Sequence, residues 1–425
     1  MKVSEHFKNR NPSSIRKAQI RFSKRNDKDS VTVVNLAIGN ISRPMYPAMR
    51  KALFDLGTKR KSDGVVNYTP TVGTDSARNA FLKILSAEGY DETGIFSMVT
   101  DGGSSAMELM LLGVCGPASN NPILFLDPTY TNYIDFANRL SIPIVSVNRQ
   151  IDDSGSFTSL NMNAIESIIL KEKPNGLLFI PYDNPTGQFL SKKVICDLAE
   201  IAVKNDIWLI SDEAYRSLSY VGNESSSIWA LNESDVKGIS GRRISIESAS
   251  KVWNACGLRI GGLLTDNYEF HQKAISEYTA NLCANSLGQE VFGVMADESP
   301  EKILNWQLDQ KNYYMNIALK LKKEFQKHIP GIIVTLPQAA IYFILDFKNI
   351  TDKDFTTSKF VDYCASYGKV KLEGKYYTLL LAPMDGFYTK QNFGKTQVRL
   401  AMVESEKKMM ITPIILKKLL LEYLK

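Results

Sequence analysis

The sequence predicts an α/β protein: a large domain with a mostly parallel sheet covered by helices on both faces, and a smaller α+β domain. Three observations lead there. From residue 65 to residue 265, strand-like and helix-like segments alternate, as in a sheet wound with crossover helices. The strand-like segments include continuous apolar runs, such as Gly176-Leu177-Leu178-Phe179-Ile180 and Ile207-Trp208-Leu209-Ile210, the way strands buried on both faces read. The chain has 425 residues, enough to bury a large core and form two domains.

In chain order, the basic N-terminal stretch (Arg16, Lys17, Arg21, Lys24, Arg25, Lys28) has few aromatics and no nucleic-acid motif. It reads as a solvated arm, able to pack on a partner subunit. Val99-Thr100-Asp101-Gly102-Gly103-Ser104-Ser105-Ala106 precedes a helical pattern from Met107 to Val114. Two glycines and small hydroxyl residues opening a helix make a phosphate cradle of backbone N–H groups and helix dipole. Leu126-Asp127-Pro128-Thr129-Tyr130 puts an aromatic ring just past a strand end. The run at residues 176–180 leads into Pro181-Tyr182-Asp183-Asn184-Pro185-Thr186-Gly187-Gln188, which alone would be an ordinary turn. The next apolar run ends in Ser211-Asp212-Glu213-Ala214-Tyr215. Asp212 falls at the C-terminal end of that strand, where open α/β sheets place ligand groups. An N-cap acid is the bland alternative there. Ser248-Ala249-Ser250-Lys251 follows, closed by Gly257-Leu258-Arg259-Ile260-Gly261. Residues 305–329 carry long helical periodicity and link to a C-terminal unit with a strand at residues 340–346. The amphipathic run at residues 414–421 is expected as a last helix packed on that unit, not as a membrane anchor.

Lys251 gives these segments a common chemistry. Hydroxyls just before a lysine, and an arginine eight residues after it, suit a phosphorylated aldehyde. The amine forms a Schiff base with the aldehyde carbon. The hydroxyls and the guanidinium hold the phosphate. Pyridoxal 5′-phosphate is the cofactor that fits. Asp212 then pairs with the pyridine nitrogen and keeps it protonated, the partnership that makes this cofactor an electron sink. Asn184 donates its amide to the phenolic O3′, Tyr215 reaches the same oxygen, and Tyr130 stacks on the ring. Gly103, Ser104 and Ser105 add to the phosphate site. Each motif alone has many chance matches; their joint order makes the case.

Composition narrows the alternatives. The net charge is +6, from 51 basic and 45 acidic residues spread along the chain, which does not suggest a nucleic-acid partner. No apolar run is long enough to span a bilayer, and no signal-peptide pattern follows Met1, so no membrane partner is expected. The five cysteines (Cys115, Cys196, Cys256, Cys283, Cys364) are scattered and odd in number, which suits a reduced, cytoplasmic protein. His6, His271 and His328 lie far apart, so neither a histidine metal centre nor a Ser-His-Asp hydrolase is expected.

Together these motifs resemble the class I/II aminotransferases of pyridoxal-phosphate fold type I, aspartate aminotransferase-like. The resemblance runs from Leu36-Ala37-Ile38-Gly39-Asn40 to Val398-Arg399-Leu400-Ala401. It implies a large cofactor domain at residues 51–300 and a discontinuous small domain from residues 1–50 and 301–425. It implies Lys251 as Schiff-base lysine and general base, with Asp212 and Tyr215 beside it in the catalytic set. Ser104, Ser105, Ser248, Ser250 and Arg259 are then the phosphate ligands. Arg399 is the α-carboxylate arginine, with Gly39 and Asn184 nearby. Tyr68, in Val66-Asn67-Tyr68-Thr69-Pro70, resembles the tyrosine that reaches the phosphate of the neighbouring subunit, which implies a homodimer with shared active sites.

The activity so implied is ping-pong transfer of an amino group from an L-amino acid to a 2-oxo acid such as 2-oxoglutarate. Aspartate, glutamate or an aromatic amino acid is the expected donor. The second arginine that some dicarboxylate-specific members use is absent, since no arginine lies between Arg259 and Arg399. Arg43 is either a substitute for it or a surface arginine in a Pro-bounded turn. Asp127-Pro128-Thr129-Tyr130 also resembles diaminopimelate aminotransferases. The same scaffold supports lyases, of the aminocyclopropane-carboxylate synthase or carbon–sulfur lyase kind. A cofactor-responsive regulator is disfavoured, because the catalytic set is complete and the N-terminus is too short for a DNA-binding domain.

Overall fold

The apolar runs become strands in a computed structural model of the chain, which describes all residues except 9, 11, 62 and 223–225. Strand β1 (Val31–Asn35) comes first. The main sheet holds β2 (Phe96–Asp101), β3 (Ile123–Asp127), β4 (Ile144–Asn148), β5 (Gly176–Phe179), β6 (Trp208–Asp212), β7 (Arg243–Ser248) and β8 (Ile260–Thr265) in the order β2-β8-β7-β6-β5-β3-β4. Pairs from β7 through β4 are parallel, and β8 runs antiparallel to both β7 and β2. The reason lies in the connection. The segment between β7 and β8 is too short for a crossover, so the chain turns back. Lys251 sits on that turn.

Successive residues of the central strands feed two cores. Leu124, Leu177 and Leu209 pack on one face, and Phe125, Leu178 and Ile210 on the other. A strand with water on neither side has no polar alternation, which is why these runs read as unbroken apolar.

Beyond the main sheet, the helix Pro300–His328 begins earlier than periodicity alone suggests. Ser299 caps it through Lys302 N, and Pro300 takes the first turn, where its missing N–H costs nothing. After it come β9 (Ile333–Val334), β10 (Tyr342–Asp346), β11 (Val370–Leu372), β12 (Lys375–Leu380), β13 (Ala382–Pro383) and β14 (Gln397–Ala401). Four of these form the antiparallel order β13-β14-β10-β9. β1 pairs in parallel with β12, next to β11, tying residues near the start of the chain to residues near its end. The helix Glu406–Tyr423 buries Ile415, Leu416, Leu419 and Leu420, the packed last helix expected. Among the described residues no helix is long and apolar enough to cross a membrane.

The N-terminal stretch differs from the solvated arm read in the sequence. Helix Ser14–Ser23 buries Ile15 and Ala18 and packs on helix Thr357–Ser366. Arg25 is buried: its guanidinium donates to the carbonyls of Cys364 (3.1 Å), Tyr367 (3.3 Å) and Gly368 (3.0 Å) and pairs with Asp27 at 2.8 Å. A cation on the last carbonyls of a helix satisfies groups with no partner inside it. Charge spacing along one segment cannot reveal that a distant helix ends there.

Candidate active site

The carboxyl ends of β3, β5, β6 and β7 open onto a cavity of about 660 Å³, a size suited to a small-molecule site. Gly103 and Ser104 enter it from the first turn of helix Gly102–Val114. Ser248, Ser250, Lys251 and Arg259 enter from the β7–β8 turn, Asp212 from the end of β6, and Tyr215 from the loop beyond. Tyr130, Asn184, Gly39 and Arg399 complete the wall. The sequence segments thus converge on one volume.

Two expected residues lie outside it. The Ser105 hydroxyl donates back to the carbonyl of Asp101 at 3.3 Å, within the first turn of its own helix. A serine one position further round the helix than Ser104 turns its side chain off the cavity, so the phosphate role expected for its hydroxyl is corrected. Tyr68 is 78 % exposed and does not line this chain's own cavity. Arg43 is also placed elsewhere. Its guanidinium lies 3.9 Å over the Tyr313 ring and donates to Gln310 Oε1 at 3.0 Å, beside a separate cleft.

Asp212 is buried, and burial pushes its carboxyl up to about 6. The Ala214 N–H (3.0 Å) and the Tyr133 hydroxyl (2.9 Å) donate to it and pull the other way. Tyr133 was not read from the sequence. It lies one helical turn past Tyr130, and the only available signal was that a buried carboxylate needs donors. Behind Asp212 is a buried ionic cluster. Arg216 reaches Glu88 at 2.7 Å and Glu247 at 2.6 Å, and lies 3.8 Å from Glu213. Burial raises Glu213 to about 7, against the opposing charge of Arg216.

Arg399 is only 1 % exposed. It donates to Asn184 Oδ1 at 2.8 Å and to the Ala37 carbonyl at 2.6 Å, while its buried Nε has no partner. The Tyr342 and Phe387 rings lie 4.3 and 4.8 Å from the guanidinium. Among the described residues no carboxylate pairs with it. A buried guanidinium without a counter-ion is costly unless an anion arrives. Tyr342 is the second residue the sequence did not reveal: it was legible as strand, but not as the hydrogen-bond partner of the Tyr215 hydroxyl.

At the cavity floor Lys251 Nζ donates to the Gly39 carbonyl and lies 3.9 Å from Cys256 Sγ. A Cβ on residue 39 would stand 2.7 Å from the Tyr342 hydroxyl and 3.0 Å from Lys251 Nζ, so a side chain there would displace the ends of both. The Arg259 guanidinium lies against Gly102 at the start of the helix, where a Cβ would collide with it. A helix N-terminus, serine hydroxyls and a guanidinium make an anion cradle. An amine lies within the same cavity, and a desolvated carboxylate waits for a cation. This donor set fits pyridoxal phosphate: phosphate, aldehyde and pyridinium each have a matching group. Among the described residues there is no group of three side chains able to hold a metal ion.

Comparison with known proteins agrees. A family model described as aminotransferase class I and II matches residues 31–385. An aspartate aminotransferase of Sulfolobus acidocaldarius is 27 % identical over 88 % of this chain and 87 % of its own length. An aromatic-amino-acid aminotransferase of Thermococcus litoralis is 21 % identical over 87 % of this chain and 89 % of its own. Among solved structures, the kynurenine aminotransferase of Pyrococcus horikoshii superposes with a TM-score of 0.80 at 20 % identity, covering 100 % of this chain and 98 % of that one. The aspartate aminotransferase of Thermus thermophilus gives 0.79 at 18 %, covering 99 % and 100 %. The family match spans most of the sequence and the fold match nearly all of it, and so the chain belongs to the class I and II aminotransferases, enzymes that depend on pyridoxal phosphate.

Proposed function

We propose that the enzyme takes the amino group of aspartate, glutamate or an aromatic L-amino acid and passes it to a 2-oxo acid such as 2-oxoglutarate, using the groups gathered around Lys251. The observation that carries this reading is Arg399, a buried cation facing the cavity of Lys251 and Asp212 that, among the described residues, pairs with no carboxylate. Every amino acid and 2-oxo acid brings that carboxylate. A guanidinium fork grips it at two points and thereby aligns the Cα–H bond.

Bound pyridoxal phosphate supplies an electron sink for the pair left when Cα loses its proton. The chain's residues do the rest. Lys251 Nζ, held by the Gly39 carbonyl, is the base for the Cα proton. The Asp212 carboxylate keeps a proton on the pyridine nitrogen, and a cation there offsets the burial that raises its own pKa. Arg399 occupies the Asn184 oxygen, so the amide NH₂ is left to donate to O3′, alongside Tyr215. Ser104, Ser248, Ser250, Arg259 and the Gly103 N–H hold the phosphate, and Tyr130 covers the ring. The oxo-acid product leaves before the acceptor enters, which gives ping-pong kinetics.

The same reading includes a homodimer with shared sites in the cytoplasm. Tyr68 supports the dimer: it stands beside exposed Val65 and Val66, a surface suited to a second copy. The free cysteines accord with a reducing compartment. The pairing of β1 with β12 supports a small domain of residues 1–50 and 301–425 beside a large one of 51–300.

Half-reactions test the activity. Each amino acid is mixed with the holoenzyme without an acceptor, and cofactor absorbance and products are followed. Conversion to the aminated cofactor with one equivalent of oxo acid is expected. Ammonia release over many turnovers would put a lyase in its place. Asp212→Ala should slow the half-reaction by at least about 10²-fold, the scale of losing one preorganised charge, while the phosphate contacts keep the cofactor bound. Unchanged turnover at full occupancy would contradict the role. Arg399→Lys should weaken all substrates together by about 1.5–3 kcal/mol, because an ammonium cannot reproduce the fork. A loss confined to one side-chain class in kcat/KM would show that the α-carboxylate site lies elsewhere.

A further inference from the structure

Arg149 lies outside the active-site cavity, yet it holds two of the loops that build the cavity wall. It directly follows β4, the edge strand of the main sheet, where a charged side chain ordinarily reaches water. Instead Arg149 is 2 % exposed. Its side chain turns inward to the loops after β3 and β5, the two strands next in the sheet order.

All five N–H groups of the guanidinium are used. Nε donates to the Asp127 carbonyl at 3.3 Å, and Nη2 to the carbonyls of Leu126 and Pro128, both at 2.9 Å. Nη1 donates to Gln188 Oε1 at 3.0 Å and to the Asp183 carboxylate. The first loop runs on to Tyr130, and Asp183 adjoins Asn184. Tyr130 and Asn184 line the cavity, while Arg149 and Asp183 do not. The second loop is closed on itself: Asp183 N–H donates to the Gln188 carbonyl and Gly187 N–H to the Asp183 carbonyl, both at 2.9 Å. A grip on Asp183 and Gln188 therefore holds Asn184 between them. Burial raises the Asp183 carboxyl, and the adjacent Arg149 charge opposes that rise.

We propose that Arg149 is a positioning residue for the cofactor ring: it locks the Tyr130 loop to the Asn184 loop, so that the aromatic cover and the amide donor to O3′ keep one fixed relation. This rests on the cofactor placement given above and deepens it. A lysine cannot take over the task. Its ammonium is a single point and cannot span three carbonyls, an amide and a carboxylate from one rigid plane. Loosening the clamp costs the ring its fixed seat, and misplacement by about 1 Å is enough to slow a reaction steeply.

The test compares Arg149→Lys and Asp183→Asn with the wild type, in buffer where urea titration shows each folded. Asp183→Asn keeps the side chain's size, and it decides the proposal on the same readouts if Arg149→Lys does not fold. Hydrogen exchange with and without pyridoxal phosphate should quicken at least about tenfold in residues 126–132 and 183–188 together. In the holoenzyme, visible circular dichroism per bound cofactor should fall at least about twofold, and the half-reaction rate at least about tenfold. An amide donor on O3′ favours the cofactor form that has lost its proton, so the pH midpoint of the visible band should move up. Lower urea stability with dichroism, midpoint and rate unchanged would make Arg149 a structural residue only and overturn the proposal. So would exchange that quickens in one loop alone. Asn184→Ala separates the two readings: if it leaves the midpoint in place, the cofactor placement fails, and exchange at the two loops of the cofactor-free protein still decides the clamp.

Discussion

Lys251→Ala is expected to lower the half-reaction rate by at least about 10³-fold, since one change removes both the covalent attachment and the general base. The variant should still take up cofactor, held by the anion cradle at helix Gly102–Val114 and by Asp212, but without the visible band of a lysine-bound cofactor. Denaturation should then release all of it. Borohydride treatment of the wild type, followed by peptide mapping, should place the reduced cofactor on Lys251. A label on another lysine would overturn the assignment. The geometry favours Lys251: it is the lysine that lines the cavity, and its amine is held there by the Gly39 carbonyl.

The second large effect is structural. Arg216→Ala should cost about 3–5 kcal/mol of stability, the range for stripping the partner from buried charge. Glu88, Glu213 and Glu247 surround this one guanidinium, and all are buried with it. The loss should depend on pH. Burial already raises the Glu213 and Glu247 carboxyls, and without Arg216 they rise further. A carboxyl whose folded pKa exceeds its unfolded one contributes fully below the unfolded value and loses that contribution as pH rises through the folded one. The variant should therefore be closer to wild type at pH 5 than at pH 8 in urea titrations. Equal loss at both would show that the cluster does not hold its charge as described.

The sequence made the central sheet legible because burial on both faces leaves unbroken apolar runs, as at β5 and β6. It made Lys251, Asp212, Asn184 and Arg259 legible because each lies at a strand end or turn where short motifs carry chemistry. What it hid depends on contacts between distant segments. Tyr133 finds Asp212, and Tyr342 finds Tyr215, only once the sheets are assembled. Arg25 looked like one more surface charge until the end of helix Thr357–Ser366 was set against it. Whether Arg43 faces the cavity could not be read from spacing, because it is decided by the long helix Pro300–His328, whose Tyr313 and Gln310 hold its guanidinium. Ser105 was misread for a smaller reason: neighbouring residues on a helix point about 100° apart, so adjacent serines do not share a target.

The 2.8 Å bond from Arg399 to Asn184 makes one planar amide a lever. Its oxygen accepts from the group proposed to grip substrate, and its nitrogen is the proposed donor to the cofactor's phenolic oxygen. An amide cannot tilt at one end alone. On this assignment, filling the carboxylate site turns the amide and changes what the chromophore feels, so the colour of the holoenzyme becomes a built-in gauge of occupancy, readable with inert acids that never react.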